Sequence, residues 1–328
     1  MRFRLTIVFA LFVWMLFTQS CIHDHPTGET VNPENIDAEL EVTFDLRWSQ
    51  TLHIVDFGTK AGERGNLHKF ILEAWRDGVP YCRDVVTLSD DEFAVGVMRH
   101  TFSKPLAAMN YRIGVWYEKT GNEGTSPYFQ TDDLSHIKLL TNSTTHGDSI
   151  QCAFGLKDVD FSKMSQNSSR DSEVVTIELE HPGARFHIVA TDIRQFIDDN
   201  RSYLLQGDSF FVNLSLSQNR HNGFNIYSSS VKLGEGQIER SSGLWLPFAD
   251  YDELKIADGF LFTDPEEDVT LTLSITNTTG MVISRTEPFS FPVKRGVITT
   301  VRGDFLSFPI NGSLTVNPVW DGEIELEY

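Results

Sequence analysis

The residue best placed to do chemistry is Cys21. It follows a cationic start (Arg2 and Arg4), an apolar run from Leu5 to Phe17 and the small polar step Thr18-Gln19-Ser20, which is the order of parts in an export signal. Ser20 supplies the small side chain that a lipoprotein signal peptidase needs ahead of its cysteine, so Cys21 is expected to carry the lipid of the mature chain. The chemistry is thioether formation followed by attachment of acyl chains such as palmitate. Each buried methylene contributes about 0.8 kcal/mol, and two or three chains hold a protein on a bilayer surface. The apolar run ends at Phe17, well short of the roughly 20 residues that a membrane-crossing helix needs. An ordinary secretory cleavage a few residues away is the alternative, and the chain is exported on either reading.

With Cys21 acylated, Cys82 and Cys152 remain as an even pair in an oxidising compartment. They are candidates for a disulfide, or for two separate buried thiols that behave as small hydrophobes. Neither C-x-x-C nor H-x-x-x-H occurs, so no metal site is expected; His23-Asp24-His25 falls in a tether rather than a fold. Asp250, Asp252 and Glu253, and separately Asp264, Glu266, Glu267 and Asp268, are carboxylate groups that calcium could use, but without the spacing of a calcium loop they read as solvated turns. No G-x-S-x-G, Walker loop, dinucleotide fingerprint or H-E-x-x-H is present, so no enzyme activity and no cofactor are expected. Among aromatics that could stack on sugars, Trp245 and Trp320 lie beside Gly and Pro rather than at core parity and are the candidate glycan contacts.

The net charge is −19. That sign argues against nucleic acid, whose binding depends on neutralising phosphates, and against adsorption to anionic headgroups. It suits solubility of an exposed surface protein.

The elements that must position these residues are nearly all strands. Leu40, Val42, Phe44, Leu46 and Trp48 alternate with Glu41, Thr43, Asp45 and Arg47, the period of a half-buried strand. The same period recurs from Met109 to Tyr117, Ile150 to Leu156, Val175 to Leu179, Phe210 to Leu216, Val269 to Ile275 and Phe289 to Val293, and again at the terminus in Ile324, Leu326 and Tyr328. One segment breaks it: Thr191 or Asp192 can cap a short helix whose Ile193, Phe196 and Ile197 share a face. Lys163 to Ser172 is polar and marks a domain boundary. The layout is a signal peptide over 1–20, a lipid-attached linker over 21–38, an N-terminal β-sandwich over 39–165 and a C-terminal β-sandwich over 171–328, with a helix near 191–199.

Two segments, VVTIELEHPGARFHIVATDIRQF (Val174 to Phe196) and FSFPVKRGVITTVRGDFL (Phe289 to Leu306), resemble the fimbrillin-type surface lipoproteins of the Bacteroides group, which include fimbrium subunits and their membrane anchors. The cues are a Pro-x-Ala-Arg step at Pro182, Ala184 and Arg185, and a Thr-x-Val-x-Gly-x-Phe step at Thr299, Val301, Gly303 and Phe305. HKFILEAWRDGVPY (His68 to Tyr81) and PYFQTDDLSHIKLL (Pro127 to Leu140) fit the first domain of those proteins. Where the family often carries Asn after the basic residue of the second motif, this chain has Gly296. The resemblance implies an all-β fold of two tandem transthyretin-like Greek-key sandwiches after a lipoprotein signal peptide. It implies a surface-exposed place on the outer membrane, and other fimbrial subunits as partners through strand exchange. In that family polymerising subunits lose their first strand to an arginine-specific protease while anchors keep it, which makes Arg47 and Arg64 the candidate cleavage sites. Arg64 lies in the glycine-rich GTKAGERGN and Arg47 in the first strand. The final strand is expected to close its own domain. The rival reading from another class is a glycan-binding outer-membrane lipoprotein of a polysaccharide-uptake system.

Overall fold

Short runs of β-branched and aromatic residues, cut by Gly, Pro, Asn and Asp, give strands almost throughout the computed structural model. It describes residues 39–40, 43–48, 67–121, 124–140, 150–162, 174–205, 207, 209–216, 222–232, 238–244, 246, 252–307, 315–317 and 323–327. Glu39 to Tyr328 forms one compact unit. Its first part runs β1 (Glu39–Leu40), β2 (Thr43–Trp48), β3 (Leu67–Arg76), β4 (Val79–Ser89), α1 (Asp90–Phe93), β5 (Val97–Thr101), β6 (Leu106–Ala107) and β7 (Asn110–Thr120). There follow β8 (Phe129–Gln130), β9 (Ile137–Leu139), β10 (Cys152–Asp160), β11 (Val174–Leu179), β12 (Gly183–Ala190), α2 (Ile193–Asp199), α3 (Arg201–Leu205), β13 (Phe210–Leu216), β14 (Gly223–Asn225) and β15 (Ser230–Lys232). The chain closes with β16 (Ile238–Leu244), β17 (Leu254–Phe262), β18 (Glu266–Asn277), β19 (Val282–Arg285), β20 (Phe289–Lys294), β21 (Ile298–Gly303), β22 (Thr315–Asn317) and β23 (Glu323–Glu327).

The fold is all-β and built from packed sheets. In the N-terminal sandwich the antiparallel sheet β10-β7-β3-β4 faces the three-stranded sheet β11-β2-β5, over a core that includes Phe44, Leu46, Phe70, Val115 and Ile177. In the C-terminal sandwich β17-β12-β21-β23-β22 faces β16-β13-β18-β19, with β20 paired to the same β18, over Phe186, Val212, Leu271, Phe291 and their neighbours. A further sheet, β15-β14-β9-β8, takes strands from both halves of the chain. It contributes Phe129, Ile137 and Phe224 to a core that also holds Ile71, Trp75, Trp116, Phe154 and Phe262. The sheet β10-β7-β3-β4 is therefore buried on both faces, and β3 and β7 each bury six consecutive residues. Gly114 is required there, because a Cβ at that position would stand 2.3 Å from the Trp75 ring and 2.9 Å from Ile226.

The domain boundary expected at Lys163 to Ser172 is corrected by one strand. β11 runs parallel to β2 from Val174↔Thr43 to Leu179↔Trp48, and Val175, Ile177 and Leu179 lie in the N-terminal core. The two sandwiches therefore divide after Leu179. Alternation marks Val175, Ile177 and Leu179 as core-facing without saying which core they face. The expected helix forms as α2, with Asp192 in the N-cap position but making no capping bond. Its buried carboxylate instead accepts hydrogen bonds from the backbone N–H of Leu306 (3.0 Å) and of Ser307, which ties the helix to the end of the Thr-x-Val-x-Gly-x-Phe segment. β23 adds in parallel to β21, from Ile298↔Glu323 to Arg302↔Glu327. The last strand thus lies in the sheet of its own module.

Candidate functional site: a slot filled by the N-terminal strand

β2 is the middle strand of its sheet although it comes from the start of the fold. On one side it pairs antiparallel with β5, Thr43↔Thr101 to Arg47↔Val97; on the other it pairs parallel with β11. Alternation sends Phe44 and Leu46 into the core, both fully buried, and Phe44 packs edge-on against Phe102 at 5.1 Å. Burying two such side chains contributes about 1.5–3 kcal/mol each. Asp45, on the opposite side of the strand and itself buried, accepts a 2.7 Å hydrogen bond from Arg99 Nε and has the Arg47 guanidinium 3.7 Å away. Both arginines are mostly exposed. What holds β2 is a double row of backbone hydrogen bonds and two apolar anchors. An unfilled position of this kind in a sheet offers unpaired N–H and C=O groups and side-chain pockets.

Arg47, one of the two candidate cleavage sites, lies within β2. Its backbone sits between Val97 and Glu178, whereas proteases cut exposed loops. Arg64, Cys21, Trp245 and Trp320 lie outside the described residues.

Cys82 and Cys152 are both free thiols, the second of the two readings open from sequence. They sit on β4 and β10, the two outer strands of the sheet β10-β7-β3-β4. Three strand spacings of about 4.8 Å separate them by roughly 14 Å across the sheet, and the register adds five residues along β4, from Thr87 to Cys82; a disulfide needs Cα atoms within about 7 Å. Burial pushes the Cys82 thiol up to about 11, with Asp84 adding to the shift; burial raises Cys152 as well.

Two further constellations carry chemistry-bearing residues that the sequence reading missed. His68 places Nε2 2.8 Å from Asp90 Oδ1 and Nδ1 2.9 Å from the Tyr117 hydroxyl, and its ring stacks on Phe93 at 3.8 Å. Both ring nitrogens thus have partners, and which of them donates depends on the tautomer. The order Asp–His–OH is that of a nucleophile relay. Here, however, Tyr117 is 1% exposed, and burial raises its pKa far above the ordinary tyrosine range. Its geometry fixes α1 against β3 and β7 and presents no reacting atom. The second constellation is a cleft of about 450 Å³ at the end of the same sheet, lined by Trp75, Asp77, Tyr111, Arg112, Asp158 and Tyr227 among others. Arg112 forks onto Asp158 at 2.6 and 2.8 Å, donates to the Tyr227 carbonyl at 3.0 Å and lies over the Tyr227 ring. That fork holds the Asp158 carboxyl below the usual carboxylate range. The guanidinium is committed to protein partners.

The aromatic residues at core parity are packed: Trp75, Trp116, Tyr117 and Phe129 are all buried. The acidic groups are used locally. Asp252 meets Arg194 at 2.8 Å and Glu253 meets Arg302 at 3.4 Å, while Glu267 accepts from Thr263 Oγ1 and the Asp264 N–H. Asp250 lies outside the described residues. Among the described residues no group of three His, Cys, Asp or Glu side chains could hold a metal ion, and no helix is long and apolar enough to cross a membrane.

Fold and slot together define a two-sandwich β protein whose amino-terminal strand completes a sheet from the middle. The chain belongs to a family of unknown function, DUF6562, whose model matches residues 33–328. No curated protein matches it. Among solved structures it is similar to a candidate cell adhesion protein from Bacteroides eggerthii, at 12% identity and TM-score 0.39, covering 89% of this chain and 96% of that one. It is also similar to the fimbrial anchor protein Mfa2 from Porphyromonas gingivalis, at 14% identity and TM-score 0.37, over 75% and 82% of the two chains. A third is a candidate polysaccharide binding protein from Bacteroides thetaiotaomicron, at 11% identity and TM-score 0.40, over 75% and 80%. The resemblance stated from sequence is thus met again among solved structures, at TM-scores too low to carry an argument of their own.

Proposed function

We propose that this chain is a non-enzymatic, surface-exposed lipoprotein that builds or anchors an adhesive fibre and joins its neighbours by strand complementation. The observation that carries the reading is the position of β2. An N-terminal segment of the fold fills the centre of a sheet through Phe44 and Leu46, and it is followed by the arginine-bearing stretch GTKAGERGN. A cut at Arg64 would leave β2 attached only by strand pairing, and its departure would open a slot between β5 and β11 for a strand of another subunit. Uncut, and acylated at Cys21, the same chain would stay on the outer membrane as an anchor whose own β2 fills the slot. The acidic balance of −19 supports a soluble outward face rather than binding of nucleic acid.

The test is to treat the mature protein with an arginine-specific protease, sequence the new terminus and run the product on a gel without boiling. A single cut after Arg64 and a ladder of oligomers are expected of a polymerising subunit. A monomer under every treatment removes that role and leaves the anchor, which is then tested by capture of fibre subunits on the uncut protein. Failure of both would end the reading.

A further inference from the structure

The face of β11-β2-β5 turned away from its core carries charges in a fixed order. Phe44 and Leu46 belong to the core, so Asp45 and Arg47 share the opposite face of β2. The register sets Arg99 of β5 opposite Asp45 and Glu178 of β11 opposite Arg47. Arg99 Nε donates to Asp45 Oδ1 at 2.7 Å, and Asp45 is 5% exposed. A carboxylate at that place is taken largely out of water and depends on its partner. Arg47 and Glu178 are exposed, so their pairing contributes less. Along the slot the flanking strands thus offer a cation and, two residues further on, an anion. β2 answers with an acid and then a base.

We infer that Arg99 and Glu178 fix the register of the strand that fills this slot, and that the slot selects an extended segment of another protein with the pattern apolar–acidic–apolar–basic. The inference rests on the strand complementation proposed above and names what that site would take. Apolar alternation opposes a slip of one residue, which turns every side chain to the other face. A slip of two keeps apolar residues inside, and there charge opposes it. Moved two places one way, the acid stands opposite Glu178; moved two places the other way, the base stands opposite Arg99. Like charges directly opposite each other are destabilising. The same rule separates two strands of this chain. Phe44-Asp45-Leu46-Arg47 has the pattern, whereas Ile324-Glu325-Leu326-Glu327 in the last strand matches its first three places and carries an acid at the fourth. The slot therefore favours a donor with a basic fourth place over the last strand of a second copy.

Peptide exchange into the mature protein nicked after Arg64, with both pieces retained, tests it by fluorescence polarisation. The peptide of residues 39–50 enters; its Asp45→Lys form binds about ten-fold more weakly, having lost the buried acid and gained a like charge beside Arg99. The Arg47→Glu form, and a peptide of residues 317–328, bind several-fold more weakly than the parent peptide. Arg99→Glu protein inverts the preference at the second place, so that the Asp45→Lys peptide binds more tightly than the parent peptide, a reversal that lost packing does not produce. In the uncut chain Asp45→Lys lowers the urea midpoint, and adding Arg99→Glu restores part of the loss. Uptake of the parent peptide with equal uptake of its Asp45→Lys form, equal uptake of residues 317–328, or no inversion by Arg99→Glu overturns the inference and leaves strand complementation standing. Uptake of no peptide removes strand complementation, and the inference with it.

Discussion

The four-stranded sheet β10-β7-β3-β4 and the five-stranded sheet of β16-β13-β18-β19 with β20 are opposite in what covers them. In the first, β3 and β7 bury six residues in a row because one face meets the β11-β2-β5 sheet and the other meets the core shared with β8, β9 and β14. In the second, β13 and β18 alternate strictly, and only one face is covered. Among the described residues, the chain's own strands cover both faces of the N-terminal sheet, and the second face of the C-terminal sheet carries the partly exposed Phe211 and Val282.

The largest effect that would break this comparison is at Trp116, fully buried on the second face of the N-terminal sheet. Trp116→Ala is expected to cost about 3–5 kcal/mol in urea unfolding. A loss below about 1 kcal/mol would mean that the shared core is not packed as described. Next comes Asp192, where the Asp192→Ala change leaves the buried N–H groups of Leu306 and Ser307 without their acceptor. About 1–3 kcal/mol is expected, read by the same unfolding curves.

His181 gives a pH effect at the join between the sandwiches. Burial, and then the Arg185 charge, lower its pKa, while a hydrogen bond to the Cys152 backbone acts in the opposite direction. The unfolded chain takes up the proton first, near pH 6.5. This contribution is therefore full above that value and is lost as pH falls below it toward the folded pKa. His181→Gln should flatten the fall in urea midpoint between about pH 7 and pH 5 relative to the parent. An unchanged slope would remove His181 as its source. The smallest effect is expected on the free face of the C-terminal sheet, where Ser274→Ala should stay within about 0.5 kcal/mol in unfolding. A cost comparable with that of Trp116→Ala would show that this face is covered.

Legibility in the sequence followed the same contrast. Val269 to Ile275 and Phe210 to Leu216 read as strands because one covered face leaves a period of two. β3 lacks that signal: Phe70 to Trp75 is continuously buried, and a run covered on both sides has no alternation to detect. The slot was half legible. Leu40 to Trp48 shows its strand character, but its central place depends on β11, whose partner lies some 130 residues away in the chain. The His68 relay could not be read, since Asp90 and Tyr117 reach it only through the β3–β4 and β3–β7 pairings. An even count of cysteines carries no distance, so the sequence left Cys82 and Cys152 open as a disulfide or as two separate thiols, and they are the latter.

The most direct measurement uses protein cut after Arg64, mixed with a labelled peptide of residues 39–50, with uptake followed by fluorescence polarisation. If β2 is a replaceable strand, the peptide enters the slot and remains bound through dilution, and the same peptide carrying Phe44→Asp does not. No uptake, or equal uptake of both peptides, would contradict strand complementation at this site.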